Sequence, residues 1–153
     1  MLGMRSLLSA ALLCAMTATP VLAAEHGTAA EAEALVKKAV AFIKSDGPEK
    51  AYAAFTAKDP RFTDRDLYIL VHNFNGICLA HGFTAKLVGK NMLDMQDIDG
   101  KAYVRERMEM AKTKPSFWQD YRYTDPLSKK IESKSTYCEV VGNTTVCSGI
   151  YKQ

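Results

Sequence analysis

The sequence predicts a small α+β domain, a five-stranded antiparallel sheet with N-terminal helices packed on one side. Two observations predict it. The first half of the chain carries apolar residues at helical spacing, ended by Gly47-Pro48. Later segments change to β-rich runs punctuated by Asn73-Phe74-Asn75-Gly76 and Gly142-Asn143, which are turn sequences.

The elements follow in chain order. Residues 1 to 24, MLGMRSLLSAALLCAMTATPVLAA, hold one early cation, Arg5, an apolar stretch from 7 to 16 and small residues ending in Val21-Leu22-Ala23. This pattern is a secretory signal with a cut after Ala23, so residues 1–23 are a leader and 24–153 a single domain. Its apolar run is too short and interrupted for a transmembrane span, which needs about 20 apolar residues. Leu12-Leu13 ahead of Cys14 argues against a lipoprotein anchor. The expected location is periplasmic or secreted.

Without Arg5, 19 basic face 17 acidic residues, a net charge of +2. So small an excess points to neither nucleic acid nor membrane as a partner. In EAEALVKKAVAFIK, residues 31 to 44, Ala34, Leu35, Ala39, Phe42 and Ile43 form an approximate helical stripe. A second short helix is expected around PEKAYAAFTA.

RDLYILVHNFNGICLAHG reads as a hairpin with a four-residue loop. That loop makes Tyr68 face His81, Leu70 face Leu79 and His72 face Ile77. Ile69, Val71, Cys78 and Ala80 then take the other side, toward the N-terminal helices. A loop one residue longer or shorter undoes this pairing. Beyond it come a helix from about 101 to 112, a short aromatic strand in SFWQDYRYTDP with Tyr121 and Tyr123 on one face, and SKKIESKSTYCEVV, paired with the last strand.

The last hairpin turns on Gly142-Asn143, which sets Cys138 opposite Cys147 and Lys134 opposite Tyr151. In an exported chain Cys138 and Cys147 can pair, about 4.5 Å apart at their Cα atoms. Cys14 leaves with the leader and Cys78 stays single. Zinc is a poor alternative, because no Cys-x-x-Cys pair or clustered histidines accompany them.

Several of these segments together resemble the single Cache domains (type 2) of bacterial extracytoplasmic sensing. They are DLYILVHNFNGICLAHG, LVGKNMLDMQDIDGKAYV, FWQDYRYTDP, KSTYCEVV and GIY. With the preceding helix they span residues 34 to 151. The resemblance implies a PAS-like fold that binds small organic ligands, often carboxylates, as the input domain of chemoreceptors and histidine kinases. No transmembrane helix or signalling sequence follows Tyr151, so the chain is expected to be a free-standing secreted Cache protein.

A carboxylate needs a cation or several donors in a partly dry cavity with apolar walls. Trp118, Tyr121 and Tyr123 supply rings, Lys134 an ammonium, and Tyr68 and His81 further donors. By resemblance Trp118, Tyr121 and Lys134 occupy motif positions near the pocket. Against this, the aromatics could be plain core, Lys134 a solvated strand lysine and His81 a structural histidine.

Two sharper motifs carry less. MQDIDGKAYVRE matches part of a calcium loop, with Asp97, Asp99, Gly100 and Glu106 in place, but Met95 would hold the first position, where a carboxylate is needed. The better reading is an aspartate-rich turn capping the next helix. Asn143-Thr144-Thr145 fits a glycosylation acceptor, or simply turn chemistry.

The function expected is therefore binding or sensing of a small organic acid or similar polar metabolite, without catalysis and without a cofactor. The alternative is a partner-binding accessory module of a membrane sensor kinase, chemoreceptor or transporter. An enzyme using Cys78 with His72 or His81 is the third reading, disfavoured by a register that turns Cys78 away from both.

Overall fold

The computed structural model describes residues 25–152; the leader expected over residues 1–23, with Cys14, lies outside them. Three α-helices, α1 (Ala29–Asp46), α2 (Pro48–Thr56) and α3 (Tyr103–Ala111), accompany seven strands. The strands are β1 (Thr63–Asp64), β2 (Leu67–Tyr68), β3 (Leu70–Asn73), β4 (Cys78–His81), β5 (Ser116–Thr124), β6 (Ile131–Val141) and β7 (Thr144–Tyr151). β1 and β2 form a small ribbon, while the other five make one antiparallel sheet in the order β4-β3-β7-β6-β5.

Local chemistry fixes the helix ends. Thr28 opens α1 with a reciprocal cap: its hydroxyl accepts from the Glu31 N–H and the Glu31 carboxylate accepts from the Thr28 N–H at 2.7 Å. Gly47 closes α1 at φ 88°, and Pro48 starts α2 at a position where a missing N–H costs nothing. The buried stripe of α1, Val36, Ala39, Val40 and Ile43, packs with Phe55 of α2 onto Ile69, Val71, Ala80, Tyr137 and Val146. One face of the sheet is thus the main core.

The terminal hairpin has the register its turn dictates. Gly142 sits at φ 59°, Lys134 pairs with Tyr151, and Cys138 pairs with Cys147 and is disulfide-bonded to it. The first hairpin differs from expectation. Leu70 pairs with His81, Val71 with Ala80 and His72 with Cys78, with a bulge between Val71 and His72. Leu79 is the extra residue. Cys78 stands opposite His72 because the loop is one residue longer than expected, closed by the Asn73 N–H donating to the Ile77 carbonyl at 3.0 Å, so the thiol lies on the histidines' side and not on the helix side.

The opposite face carries Phe117, Gln119, Tyr121 and Tyr123 of β5, Lys134, Thr136 and Cys138 of β6, and Cys147 and Tyr151 of β7, all at alternate positions along their strands. A connection from 82 to 102 and then α3 cover it. The connection runs first along β4, where Cys78 donates to the Lys90 carbonyl and accepts from Gly89 N–H. It then crosses to β5, where Asp97 accepts from Arg122 N–H at 2.9 Å and Lys101 donates to the Asp120 carbonyl at 2.6 Å. Asp97 also accepts from the N–H groups of Asp99 and Lys101. The aspartate turn therefore pins the connection to a sheet edge; α3 begins at Ala102 without a side-chain cap. Among the described residues no helix is long and apolar enough to cross a membrane.

Candidate functional site

Two cations lie inside this covered face. Arg107 of α3 is 1% exposed and Lys134 of β6 equally so. The Arg107 Nε donates to Gln119 Oε1 at 3.0 Å, and one terminal nitrogen faces His72 Nδ1 at 3.4 Å. The other terminal nitrogen is buried without a hydrogen-bond partner. Gln119 is held for this task, its amide nitrogen donating to the Tyr103 carbonyl and to Glu106. The guanidinium also lies 5.3 Å from the Tyr121 ring centre and 6.0 Å from that of Tyr103, two rings stacked at 4.6 Å.

The Lys134 Nζ donates to Tyr68 OH at 2.6 Å and to Tyr151 OH at 3.2 Å, and sits 4.1 Å from the centre of the Tyr68 ring. Tyr151 passes its own proton to the Thr124 carbonyl. To get there the lysine runs across β7 at Gly149: a Cβ on that glycine would collide with Thr136 Oγ1 and stand 2.8 Å from Lys134 Cε and 2.8 Å from the Ser135 carbonyl oxygen. Gly149→Ala should cost about 1–3 kcal/mol as Thr136, the lysine and the β6 backbone are forced aside. An unchanged urea midpoint would show that the site has room the geometry denies.

His81 completes the cluster. Its Nδ1 accepts from the N–H groups of Phe83 and Thr84, which leaves the proton on Nε2, 3.5 Å from Tyr123 OH. Its ring stacks on Tyr68 at 5.3 Å. His72, in turn, accepts from Arg107 at Nδ1 and donates from Nε2 to the Met92 sulfur at 3.3 Å. No ion pair among the described residues includes Arg107 or Lys134.

Burial dominates the titrations in the cluster, and positive charge adds to it for the histidines and the lysine. Burial first, and the Arg107 charge second, hold Lys134 well below the usual lysine range; the more distant Asp66 and Asp125 only partly oppose them. Burial, then Lys134 and Arg107, push His81 down to about 3. Burial, then Arg107, push His72 down as well. Burial raises Tyr68, and raises Tyr123 to about 12. The folded protein therefore keeps both imidazoles neutral where the unfolded chain, with histidines near 6.5, takes up protons. Stability is complete above that value and falls as the pH drops through 6.5 toward 3. Urea midpoints of the parent should decline more steeply between neutral pH and pH about 4 than those of His81→Gln; parallel declines would contradict it.

Of the six residues expected to bind ligand, the structure brings five together: Tyr68, His81, Tyr121, Tyr123 and Lys134. Trp118 is on the other face, against Tyr137 at 5.4 Å, with its indole N–H donating to Glu33 of α1. Strand parity accounts for this, because an even-numbered residue of β5 cannot share a face with Tyr121 and Tyr123. Arg107, Gln119, His72, Tyr103 and Tyr151 were not among those six. Arg107 had a signal: it stands in phase with Tyr103, Val104, Met108 and Ala111, the buried stripe of α3. A charge on an apolar stripe marks a buried ion.

The architecture is that of a PAS-like α+β domain, with two buried basic side chains on its covered sheet face. The chain belongs to the family described as single Cache domain 2, whose model matches residues 22–151. Cache domains are extracytoplasmic sensory modules that bind ligands and are not catalytic. Comparison with curated proteins finds no match.

Among solved structures, the chain is similar to a methyl-accepting chemotaxis protein from Vibrio parahaemolyticus RIMD 2210633, at 20% identity and TM-score 0.69, over 80% of this chain and 86% of that one. It is similar to a Cache chemosensory domain described for its carboxylic acid recognition, at 18% identity and TM-score 0.71, over 81% and 92%. A periplasmic sensor domain of a chemotaxis protein matches at 20% identity and TM-score 0.64, over 81% and 90%. At these identities the likeness is one of fold.

Proposed function

We propose that this Cache protein binds a small carboxylate outside the cytoplasm, by way of Arg107, Lys134 and the rings of Tyr68, His81, Tyr121 and Tyr123, and does not transform it. One observation carries the reading. Arg107 is buried with a terminal nitrogen unpartnered and, among the described residues, no carboxylate in an ion pair with it. A guanidinium keeps its charge in any protein interior, and its planar edge suits a carboxylate. An anion from outside is what such a site lacks. The solved Cache domain described for carboxylic acid recognition supports the same ligand class.

Chemistry on the ligand has little to work with. The Cys78 thiol is raised to about 11 by burial and donates to the Ala80 carbonyl, so it is not an activated nucleophile despite sharing a face with His72. His81 at about 3 is a poor base at neutral pH.

A thermal-shift screen over small carboxylates, amino acids and amines tests the proposal, since a ligand of the folded state alone raises the melting temperature. Carboxylates should raise it and simple amines should not. A screen in which no carboxylate shifts the protein would remove the reading.

A further inference from the structure

The two cations also bear on the ligand's charge, an inference that rests on the carboxylate reading above. Arg107 is carried by α3 and Lys134 by β6, and each has a position to spare. Arg107 has its unpartnered terminal nitrogen. The Lys134 nitrogen contacts the two phenols of Tyr68 and Tyr151, and its third position is a donor when the group is protonated and a lone pair when it is neutral.

The groups around the lysine offer no negative charge at close range. β2 presents Tyr68, β4 His81, β5 Tyr121 and Tyr123, and β7 Tyr151, while α3 adds only the like charge of Arg107. Asp66 is taken up by Gly27 N–H and His26, and Asp125 by the N–H groups of Leu127 and Ser128. Two unpaired cations in a dry interior cannot both persist. An ammonium can release its proton there and a guanidinium cannot. In the empty site Lys134 is then a neutral amine bridging two phenols. A single carboxylate on Arg107 balances that state; a second one beside Lys134 calls the proton back and fills the third donor.

We propose that the ligand is a small dicarboxylate, one carboxylate on the free edge of Arg107 and the other on Lys134, and that its binding draws a proton from solvent onto Lys134. The unpartnered nitrogen of Arg107 and the third position of Lys134, on two separate elements, ask for two acceptor groups once Lys134 is protonated. The proton joins the amine lone pair, so the filled site holds two cations and two carboxylates.

Titration calorimetry in two buffers of different ionisation enthalpy provides the test. The probes are malonate, succinate and glutarate, each against the monocarboxylate of equal carbon number: propionate, butyrate and valerate. The best dicarboxylate should bind at least about tenfold more tightly than its partner, and its heat should report uptake of about one proton per site. Lys134→Gln should lose both the preference and the proton, with Lys134→Met as a second variant should the first not fold. Monocarboxylates binding as tightly with no buffer dependence would overturn the inference and leave the carboxylate reading standing. A dicarboxylate preference without proton uptake would overturn the assignment to Lys134. No binding by any probe would overturn the carboxylate reading and this inference with it.

Discussion

Arg107→Gln is expected to leave the protein folded and to abolish its response to carboxylates. The glutamine amide can still donate toward Gln119 Oε1, the strongest of the arginine's present hydrogen bonds at 3.0 Å. What it removes is the charge and the open terminal nitrogen. Losing one partner of a buried, hydrogen-bonded charge pair costs about 2–5 kcal/mol, so affinity should fall by about 30-fold to several thousand-fold. The unliganded variant should melt no lower than the parent, because no buried charge is left unpaired. Calorimetry and thermal melts check the two halves separately. Binding undiminished in the variant would take Arg107 out of the site.

Lys134→Met should stabilise the empty protein. Methionine matches much of the lysine stem and fills the same path over Gly149, while Tyr68 and Tyr151 keep a 3.5 Å contact between their hydroxyls. Replacing a buried, poorly compensated ionisable group with an apolar one of similar volume gains about 1–4 kcal/mol. The gain has a pH signature. Lys134 in the folded protein sits well below its ordinary value of 10.5, so below that value the unfolded chain binds a proton that the folded one lacks. Parent stability consequently rises as the pH climbs toward 10.5, and the advantage of the variant shrinks over the same range. Urea melts at pH 7 and at pH about 10 give both numbers. A variant less stable than the parent at pH 7 would mean that the amine contributes more by bonding the two phenols than its burial costs.

The parts of this architecture that were legible in the sequence are those set by short-range chemistry. The Gly142-Asn143 turn fixes a register, and through it the partners of Lys134 and of Cys138. Gly47-Pro48 separates two helices where the backbone must break. The β3–β4 pairing was not legible, because the Asn73 side chain accepts from the N–H groups of Asn75 and Ile77 and closes a loop one residue longer than the turn sequence suggests, and a bulge at Leu79 then shifts the register once more. Of the site, strand parity groups Tyr121 with Tyr123, and the terminal turn sets Lys134 opposite Tyr151, but joining the two pairs on one face takes the β5–β6 register, which the sequence leaves open. The decisive arginine could not be found by seeking rings and donors alone. Arg105 and Arg107 are two residues apart on α3; one is exposed and pairs with Asp94, the other is buried. Only the helical phase distinguishes them.

The connection from 82 to 102 does more than roof the cluster. By engaging Cys78 on β4 and then Arg122 and Asp120 on β5, it occupies hydrogen-bonding groups on both outer strands of the sheet. An open sheet with bare margins is a template onto which other chains can add, the usual route to strand-mediated aggregation. Here one segment hems both margins. With both margins engaged in this way, fewer backbone groups on the outer strands are left open for a second copy to pair with edge to edge.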